Sequence, residues 1–210
     1  TECTPDYCPY AKGHFDRIND AMYELLQSEN MFSRDIILEC AGKHQVCPFE
    51  MSLDMSMYAD AIICDYNYVF DPNVYLKRFF AEGLGSKDYI FLIDEAHNLL
   101  ERGREMYSAA LFKEDFLKMK KLVKKESPKL ERQLEKCNKE LLAMKRECVN
   151  YRREDMIAPF VMALTRAYAT LVEFLEEHDS MPERSELLDF YFDIAHFLNM
   201  YEIMDDNYVV

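Results

Sequence analysis

The sequence predicts a mainly α-helical protein that contains a small α/β strip. Apolar residues recur at three- and four-residue spacing near the N-terminus and again over the second half of the chain, which is typical of amphipathic helices. Between these regions, residues 59–64 and 89–93 form two short apolar runs with the length of buried strands. A helix-length segment separates the two runs, which indicates one parallel βαβ unit.

The N-terminal region predicts a small helical unit with cysteines at both ends. Residues 14–28 should form an amphipathic helix, and Ser33 can cap a second helix that reaches about residue 43. Cys47 and Pro48 begin a third helix, because proline is well tolerated in a first helical turn. The apolar face of the first helix is expected to consist of Phe15, Ile18, Ala21, Met22, Leu25 and Leu26.

The strip that follows should hold the two strands. An aromatic turn over residues 65–72 and a helix over 73–82 connect them, and glycines within residues 83–86 break that helix. Two strands do not make a stable sheet, so further strands are expected outside these residues.

The last hundred residues predict a helical bundle. Pro128 splits an amphipathic arm into two helices, and residues 156–178 and 183–204 give two more. Residues 113–153 carry 14 basic and 7 acidic side chains, whereas residues 154–210 carry 2 and 13. We therefore expect the acidic last helices to pair with the basic arm.

Composition narrows the possible functions. A net charge of −14 argues against non-specific nucleic-acid binding by the whole surface. No apolar run reaches transmembrane length, so this part of the chain is expected to be soluble and without a membrane partner. Seven cysteines, four of them within the first 47 residues, favour reduced cytoplasmic thiols with a metal or cluster over structural disulfides, which stay possible.

Two acids follow the second apolar run directly, at the predicted carboxyl end of the strand. Ligands bind at this edge of α/β sheets, and an acid here holds the magnesium of a nucleotide in phosphate-loop enzymes. Asp94 would serve the metal, Glu95 would be the catalytic base, and His97 could pass the nucleotide state to a neighbouring domain. The alternative is an ordinary helix N-terminus at which the dipole favours acids.

Three motifs in this order and spacing give a specific resemblance. They are CPFE at residues 47–50, ADAIICDYNYVFDP at 59–72 and FLIDEAHNL at 91–99. Together they resemble the XPD/DinG-type iron–sulfur DNA helicases, and CTPDYCPYAKGHF at residues 3–15 is similar to the bacterial members. The resemblance covers residues 1–108 by motif and 109–210 by architecture only.

This resemblance implies an ATP-dependent helicase that unwinds DNA with 5′→3′ polarity. Residues 1–58 would form a [4Fe–4S] domain, 59–108 a part of the first motor domain with its DEAH box, and 109–210 a helical arch around single-stranded DNA. ATP and Mg²⁺ would bind the whole protein. The five glycines never form G-x-x-x-x-G-K-[ST], so these residues are expected to be an inactive internal fragment of the motor.

The cluster ligands implied by the resemblance are Cys3, Cys8 and Cys47, with the fourth expected upstream of Thr1. Cys40 is a doubtful fourth ligand because it falls on the apolar face of its helix, where a core role is favoured. Zinc is the chemical alternative to a cluster. The remaining cysteines are expected to be packing residues: Cys64, Cys137 and Cys148.

The candidates for DNA contact combine cations and aromatic rings, as single-strand binding requires. They are Lys12, His14, Arg17, Tyr66, Asn67 and Tyr68. The tyrosines could equally anchor their turn, and the lysines of the arm are more typical of a solvated face. A different class of function stays open, namely an acidic helical interaction module without catalysis.

Overall fold

The computed structural model describes residues 3–80, 89–146, 148–154 and 157–210. The chain divides into two compact units, Thr1–Asp65 and Tyr66–Val210.

The first unit consists of three helices around a small core. Helices α1 (His14–Ser28), α2 (Arg34–His44) and α3 (Pro48–Ser56) lie where the periodicity predicted them. The Ser33 hydroxyl accepts a hydrogen bond from the amide of Ile36 at 3.5 Å and caps α2, as expected. The buried residues of the core are Ile18, Ala21, Leu25, Ile37, Cys40, Ala41, Val46, Met51 and Met55.

The inward face of α1 differs from the prediction at its first turn. Phe15 is 87% exposed, whereas His14 is only 6% exposed. The imidazole is turned inward because it accepts a hydrogen bond from the backbone of a neighbouring segment, described below, and the ring of Phe15 is consequently left in solvent. Periodicity alone cannot detect this exchange, since the two positions are adjacent on the helix.

The predicted βαβ strip is wrong. Within the described ranges the chain is helical or irregular and contains no strand, and Ile63 and Leu92 are almost completely exposed. A buried parallel strand needs a hydrogen-bonded neighbour on each side and a covering layer on each face, and these surroundings are missing here. The apolar runs alone are therefore insufficient to form a sheet.

Short helices replace the strip in the second unit. They are α4 (Asn67–Phe70), α5 (Lys77–Phe80), a 3₁₀ turn (Ala96–Asn98) and α6 (Leu99–Met106). The helix predicted over 73–82 is thus reduced to α5 within the described part, and the predicted break at 83–86 lies outside it. In the segment that was predicted to be the second strand, the ring centroids of Tyr89 and Phe91 each lie about 6 Å from that of Phe80.

The rest of the second unit is a four-helix arrangement. Helices α7 (Lys113–Val123), α8 (Pro128–Arg146), α9 (Ala158–Glu177) and α10 (Arg184–Glu202) pack in chain order, α8 against α7 and α9, and α9 against α10. Pro128 begins α8, as predicted. The ring of Phe116 is completely buried and lies 6.2 Å from Phe160 and 5.1 Å from Phe190.

Helix α9 has the length and apolarity of a membrane span. Its buried residues, however, belong to the same core as those of α7, α8 and α10, which is typical of a central helix in a bundle. The residues of α9 in this core are Phe160, Leu164, Ala167, Leu171, Phe174 and Leu175.

Ion pairs join the basic and acidic helices as expected. Lys118 lies 2.5 Å from Glu186 of α10, and Lys129 lies 2.5 Å from Glu173 of α9. All four side chains are about half exposed, so solvent screens both pairs and each contributes little to stability. The apolar core, rather than these pairs, holds the bundle together.

Truncating Phe116 should destabilise the bundle strongly. Phe116→Ala leaves a cavity among three helices and should lower the free energy of unfolding by about 3–5 kcal/mol. Phe192→Ala, which removes a ring that is 62% exposed on α10, is the matched control and should change it by less than about 1 kcal/mol. Denaturant unfolding monitored by circular dichroism measures both, and equal losses would contradict this description of the core.

Candidate functional site

Two segments of the first unit carry the cysteines predicted to bind a cluster. Cys8 lies in a turn that precedes α1, where its amide donates to the carbonyl of Thr4 at 2.9 Å. Cys47 is the residue that caps the N-terminus of α3. Both side chains are partly buried, whereas Cys3 is exposed.

The side chain of Arg17 ties these two segments together. Its Nη2 donates to the carbonyl of Lys12 at 2.7 Å and to that of Gln45 at 2.6 Å, and its Nε donates to the carbonyl of His44 at 2.9 Å. Lys12 follows the Cys8 turn, and Gln45 precedes Cys47 by two residues. The guanidinium of Arg17 on α1 therefore bonds to the segment that follows Cys8 and to the segment that precedes Cys47.

His14 adds a second link. Its Nδ1 lies 3.2 Å from the amide nitrogen of Cys47 and accepts a hydrogen bond from it, which places the ring proton of the neutral imidazole on Nε2. Three of the residues that the sequence offers for DNA contact lie in this region. His14 and Arg17 bond to backbone atoms within the first unit, whereas the side chain of Lys12 is exposed.

A cluster and a single ion require differently spaced ligands. Thiolates that bind an iron–sulfur cube ligate different irons, so they stand further apart than the ligands of a single cation. Among the described residues no three of these cysteines come within 4.8 Å of each other, as a single-ion site would require. Cys8 and Cys47 are both partly buried, and Arg17 bonds to the backbone near each of them.

Cys40 has a different environment. Cys40 is 6% exposed, and its thiol lies 3.5 Å from the carbonyl oxygen of Ala21, to which it donates. Burial, with a further contribution from the charge of Glu24, raises the pKa of the Cys40 thiol. These surroundings favour the protonated core residue over a cluster ligand.

The other cysteines divide into buried and exposed ones. Cys137 is completely buried in the bundle core, and burial raises its pKa to about 12, so that it is an inert packing residue. Cys148 is partly buried. Cys64 was expected in a buried strand but is exposed, because that strand is absent.

The acids of the DEAH motif lie on an exposed turn of the second unit. Glu95 has φ 50° and ψ 37°, a left-handed conformation that is unfavourable for a side chain with a Cβ. Its amide donates to Asp94 Oδ1 at 2.9 Å, and its carboxylate oxygen Oε2 lies 3.3 Å from His97 Nδ1. Backbone strain of this kind is concentrated at functional sites.

The aromatic turn is held by its own backbone. The carbonyl of Tyr66 accepts from the amides of Val69 and Phe70 at 3.0 and 2.9 Å, and the carbonyl of Tyr68 accepts from Leu76 at 2.8 Å. The side chains of Tyr66, Asn67 and Tyr68 are half-buried. The structure thus keeps the three candidates on one turn and leaves part of each side chain accessible.

Sequence reasoning missed two features of the first unit. The first is the clamp by Arg17, a residue that the sequence offers only as a candidate for DNA contact. The second is a group formed by Glu24, Cys40 and His44, whose potential ligand atoms all lie within 4.8 Å of one another. The signal for the second was present, since Cys40 and His44 are four residues apart on one helix.

Comparison with known proteins identifies the family. Residues 2–116 match the DEAD_2 family, which is more than half of the 210 residues, and the chain belongs to that family. The match includes both the cysteine segments and the DEAH turn.

The chain is similar to several individual helicase proteins over part of its length. The chain is 34% identical over 73 residues to the regulator of telomere elongation helicase 1 homolog of Anopheles gambiae. The aligned region covers 35% of this chain and 7% of that protein. The chain is 32% identical over 71 residues to the general transcription and DNA repair factor IIH helicase subunit XPD of Dictyostelium discoideum, which covers 34% and 9%. It is 28% identical over 89 residues to the Fanconi anemia group J protein homolog of Gallus gallus, which covers 41% and 7%.

The chain is therefore related to the XPD-type helicases. The aligned regions span less than a tenth of the length of these relatives. No solved structure matches the chain.

Proposed function

We propose that this chain is part of an ATP-dependent DNA helicase of the bacterial XPD/DinG type that moves 5′→3′ on single-stranded DNA. The observation that carries the proposal is the DEAD_2 match over residues 2–116, because this range covers both the cysteine segments and the DEAH acids. The similarity to proteins that are named as helicases also supports a helicase as the parent protein. ATP and a DNA fork are then the partners of the whole protein, and the compartment is the bacterial cytoplasm.

Residues 1–58 are proposed to hold a [4Fe–4S] cluster. Cys3, Cys8 and Cys47 would supply three of its four thiolates, and Cys40 stays in the core. Bound, the cluster would cross-link the turn before α1 to the start of α3. The chain itself prepares this link, because Arg17 and His14 already hold the two segments side by side. The cluster in this proposal is a structural brace.

Residues 59–108 are proposed to contribute the DEAH acids of the motor. Asp94 would hold the Mg²⁺ of ATP through water, and Glu95 would take the proton of the attacking water. His97, 3.3 Å from Glu95, would position that carboxylate and respond to its state. The chain has no phosphate loop, so the 210 residues alone should not hydrolyse ATP.

Residues 109–210 are proposed to form the arch over single-stranded DNA. The four helices offer a support for the strand, and Lys121, Lys136, Lys139 and Lys145 of α7 and α8 are exposed. Lys12 and the turn of Tyr66, Asn67 and Tyr68 are the proposed DNA contacts elsewhere in the chain. Cations with partly accessible rings suit a single strand, whose bases stack on aromatic side chains.

Loss of a cluster cysteine should remove iron from the protein. Purified without oxygen, the full-length protein should be brown and contain about four iron atoms per chain. Cys47→Ser should abolish both the colour and the iron. Cys64→Ser, which replaces an exposed cysteine outside the site, is the matched control and should retain them. A colourless protein with stoichiometric zinc would overturn the cluster assignment.

Removing the proposed base should stop ATP hydrolysis without preventing ATP binding. Glu95→Gln in the full-length protein should reduce DNA-stimulated ATPase activity by about 100-fold or more, the usual effect of losing a general base. The control is Glu101→Gln on α6, the helix that follows the DEAH turn. It removes an exposed carboxylate 3.1 Å from Arg104 of the same helix and should have less than about a twofold effect. Full activity of Glu95→Gln would overturn its role as the base, whereas a full-length protein without DNA-stimulated ATPase activity would favour a protein-interaction module over a motor.

A further inference from the structure

We propose that Glu24, Cys40 and His44 form a second metal site, for a single zinc ion or a similar first-row divalent cation. The site lies between α1 and α2 and shares no ligand with the proposed cluster. It goes beyond the proposed helicase function and does not depend on it.

The packing of α1 on α2 creates the site. Cys40 and His44 are one helical turn apart, so both side chains project from the same face of α2. That face packs on α1, where Ala21 and Leu25 are buried beside Cys40 in the common core. Glu24 lies between Ala21 and Leu25 in the sequence. Its carboxylate therefore lies next to the side chains of Cys40 and His44 at the edge of the core.

The geometry is close to that of a bound ion. His44 Nε2 lies 2.9 Å from Glu24 Oε2, and the Cys40 sulfur is within 4.8 Å of both groups. Tetrahedral zinc bonds of 2.0–2.3 Å place ligand atoms roughly 3.3–3.8 Å apart. The ion would replace the hydrogen bond between His44 and Glu24, and the three groups would need to move by about 1 Å.

The ligand chemistry selects the cation. A thiolate and an imidazole favour zinc and similar metals, whereas Mg²⁺ and Ca²⁺ require sites made of oxygen ligands. Together with the carboxylate they would neutralise a divalent ion. Burial raises the pKa of the Cys40 thiol, so the metal has to displace the proton to solvent when it binds, and affinity should rise with pH. Three protein ligands leave a fourth position for water.

Neighbouring residues already orient two of the ligands. Lys43 Nζ donates to Glu24 Oε1 at 2.5 Å and leaves Oε2 for the site. The carbonyl of His44 is held by Arg17 at 2.9 Å, which fixes the end of α2. Outer hydrogen bonds of this kind are typical of metal sites, where they orient the ligands. The Glu24 side chain is 41% exposed and the His44 side chain 20%, so an ion can enter from solvent.

Cobalt provides a direct probe, because a thiolate bound to tetrahedral Co²⁺ gives a charge-transfer band and intense visible bands. The starting protein is the 210-residue chain with Cys3, Cys8 and Cys47 changed to Ser, which removes the proposed cluster ligands. Titration should give one equivalent of bound Co²⁺, and Zn²⁺ should displace it. Adding Cys40→Ser should abolish the thiolate band, and adding His44→Ala or Glu24→Gln should weaken binding at least tenfold.

The matched control is Cys64→Ser in the same background, which should leave the cobalt spectrum unchanged. A band that persists in Cys40→Ser, or no band in a protein with native helicity by circular dichroism, would overturn the proposal. If the triple Ser background does not fold, native mass spectrometry of the zinc-loaded chain decides. The chain with all its cysteines should then bind one zinc more than its Glu24→Gln/His44→Ala variant, and equal stoichiometry would overturn the site.

The two metal hypotheses fail separately. Glu24→Gln and His44→Ala leave Cys3, Cys8 and Cys47 in place, so iron loading of the full-length protein should be unaffected. Loss of the cobalt site with intact iron loading would therefore leave the helicase proposal standing, and the reverse result would leave the second site standing.

Discussion

The hydrogen bonds from Arg17 to three backbone carbonyls are the interaction on which the first unit depends. The donors are charged and planar, and they reach Lys12, His44 and Gln45 from a single position on α1. Charge-assisted bonds of this kind are stronger than neutral ones, and the rigid fork fixes the directions of the groups that it binds. Through them the irregular turn before α1 and the end of α2 acquire a defined position.

Both metal proposals depend on this constraint. The Cys8 turn has few apolar anchors of its own, since its residues are mostly exposed. Cys47 directly follows the left-handed Gln45 and the completely buried Val46. The end of α2, which carries His44, is fixed by the same guanidinium. A cluster at Cys8 and Cys47 and an ion at His44 would share this support but no ligand, so each could be lost without the other.

The second unit is stabilised differently, by an apolar core that polar pairs only surround. Its ion pairs are exposed and contribute little, while rings such as Phe116 are completely removed from water. The DEAH turn lies outside that core, with the carboxylates of Asp94 and Glu95 in solvent. Nucleotide chemistry would require additional protein groups around this turn, which is consistent with a motor assembled from more than these residues.

The helices could be predicted from the sequence, but the strip and much of the site could not. The periodicity over 14–28 and the cap at Ser33 are local signals, and the structure agrees with both. The apolar residues at 62–63 and 90–93 predicted strands because their pattern is local, whereas a sheet depends on paired neighbouring strands, and the described part of the chain contains none. The inward turn of His14 and the clamp by Arg17 depend on hydrogen bonds to residues about 30 positions away, which periodicity cannot reveal.

Amide hydrogen exchange in Arg17→Ala tests the central claim most directly. If the guanidinium holds both cysteine segments, exchange should accelerate together over residues 4–13 and 44–47, while the buried core of α9 in the second unit should be unchanged. Arg34→Ala, which removes an exposed arginine at the start of α2, should leave the exchange of both segments as it is. Unchanged exchange in Arg17→Ala, or acceleration of only one of the two segments, would contradict the claim that this side chain joins them.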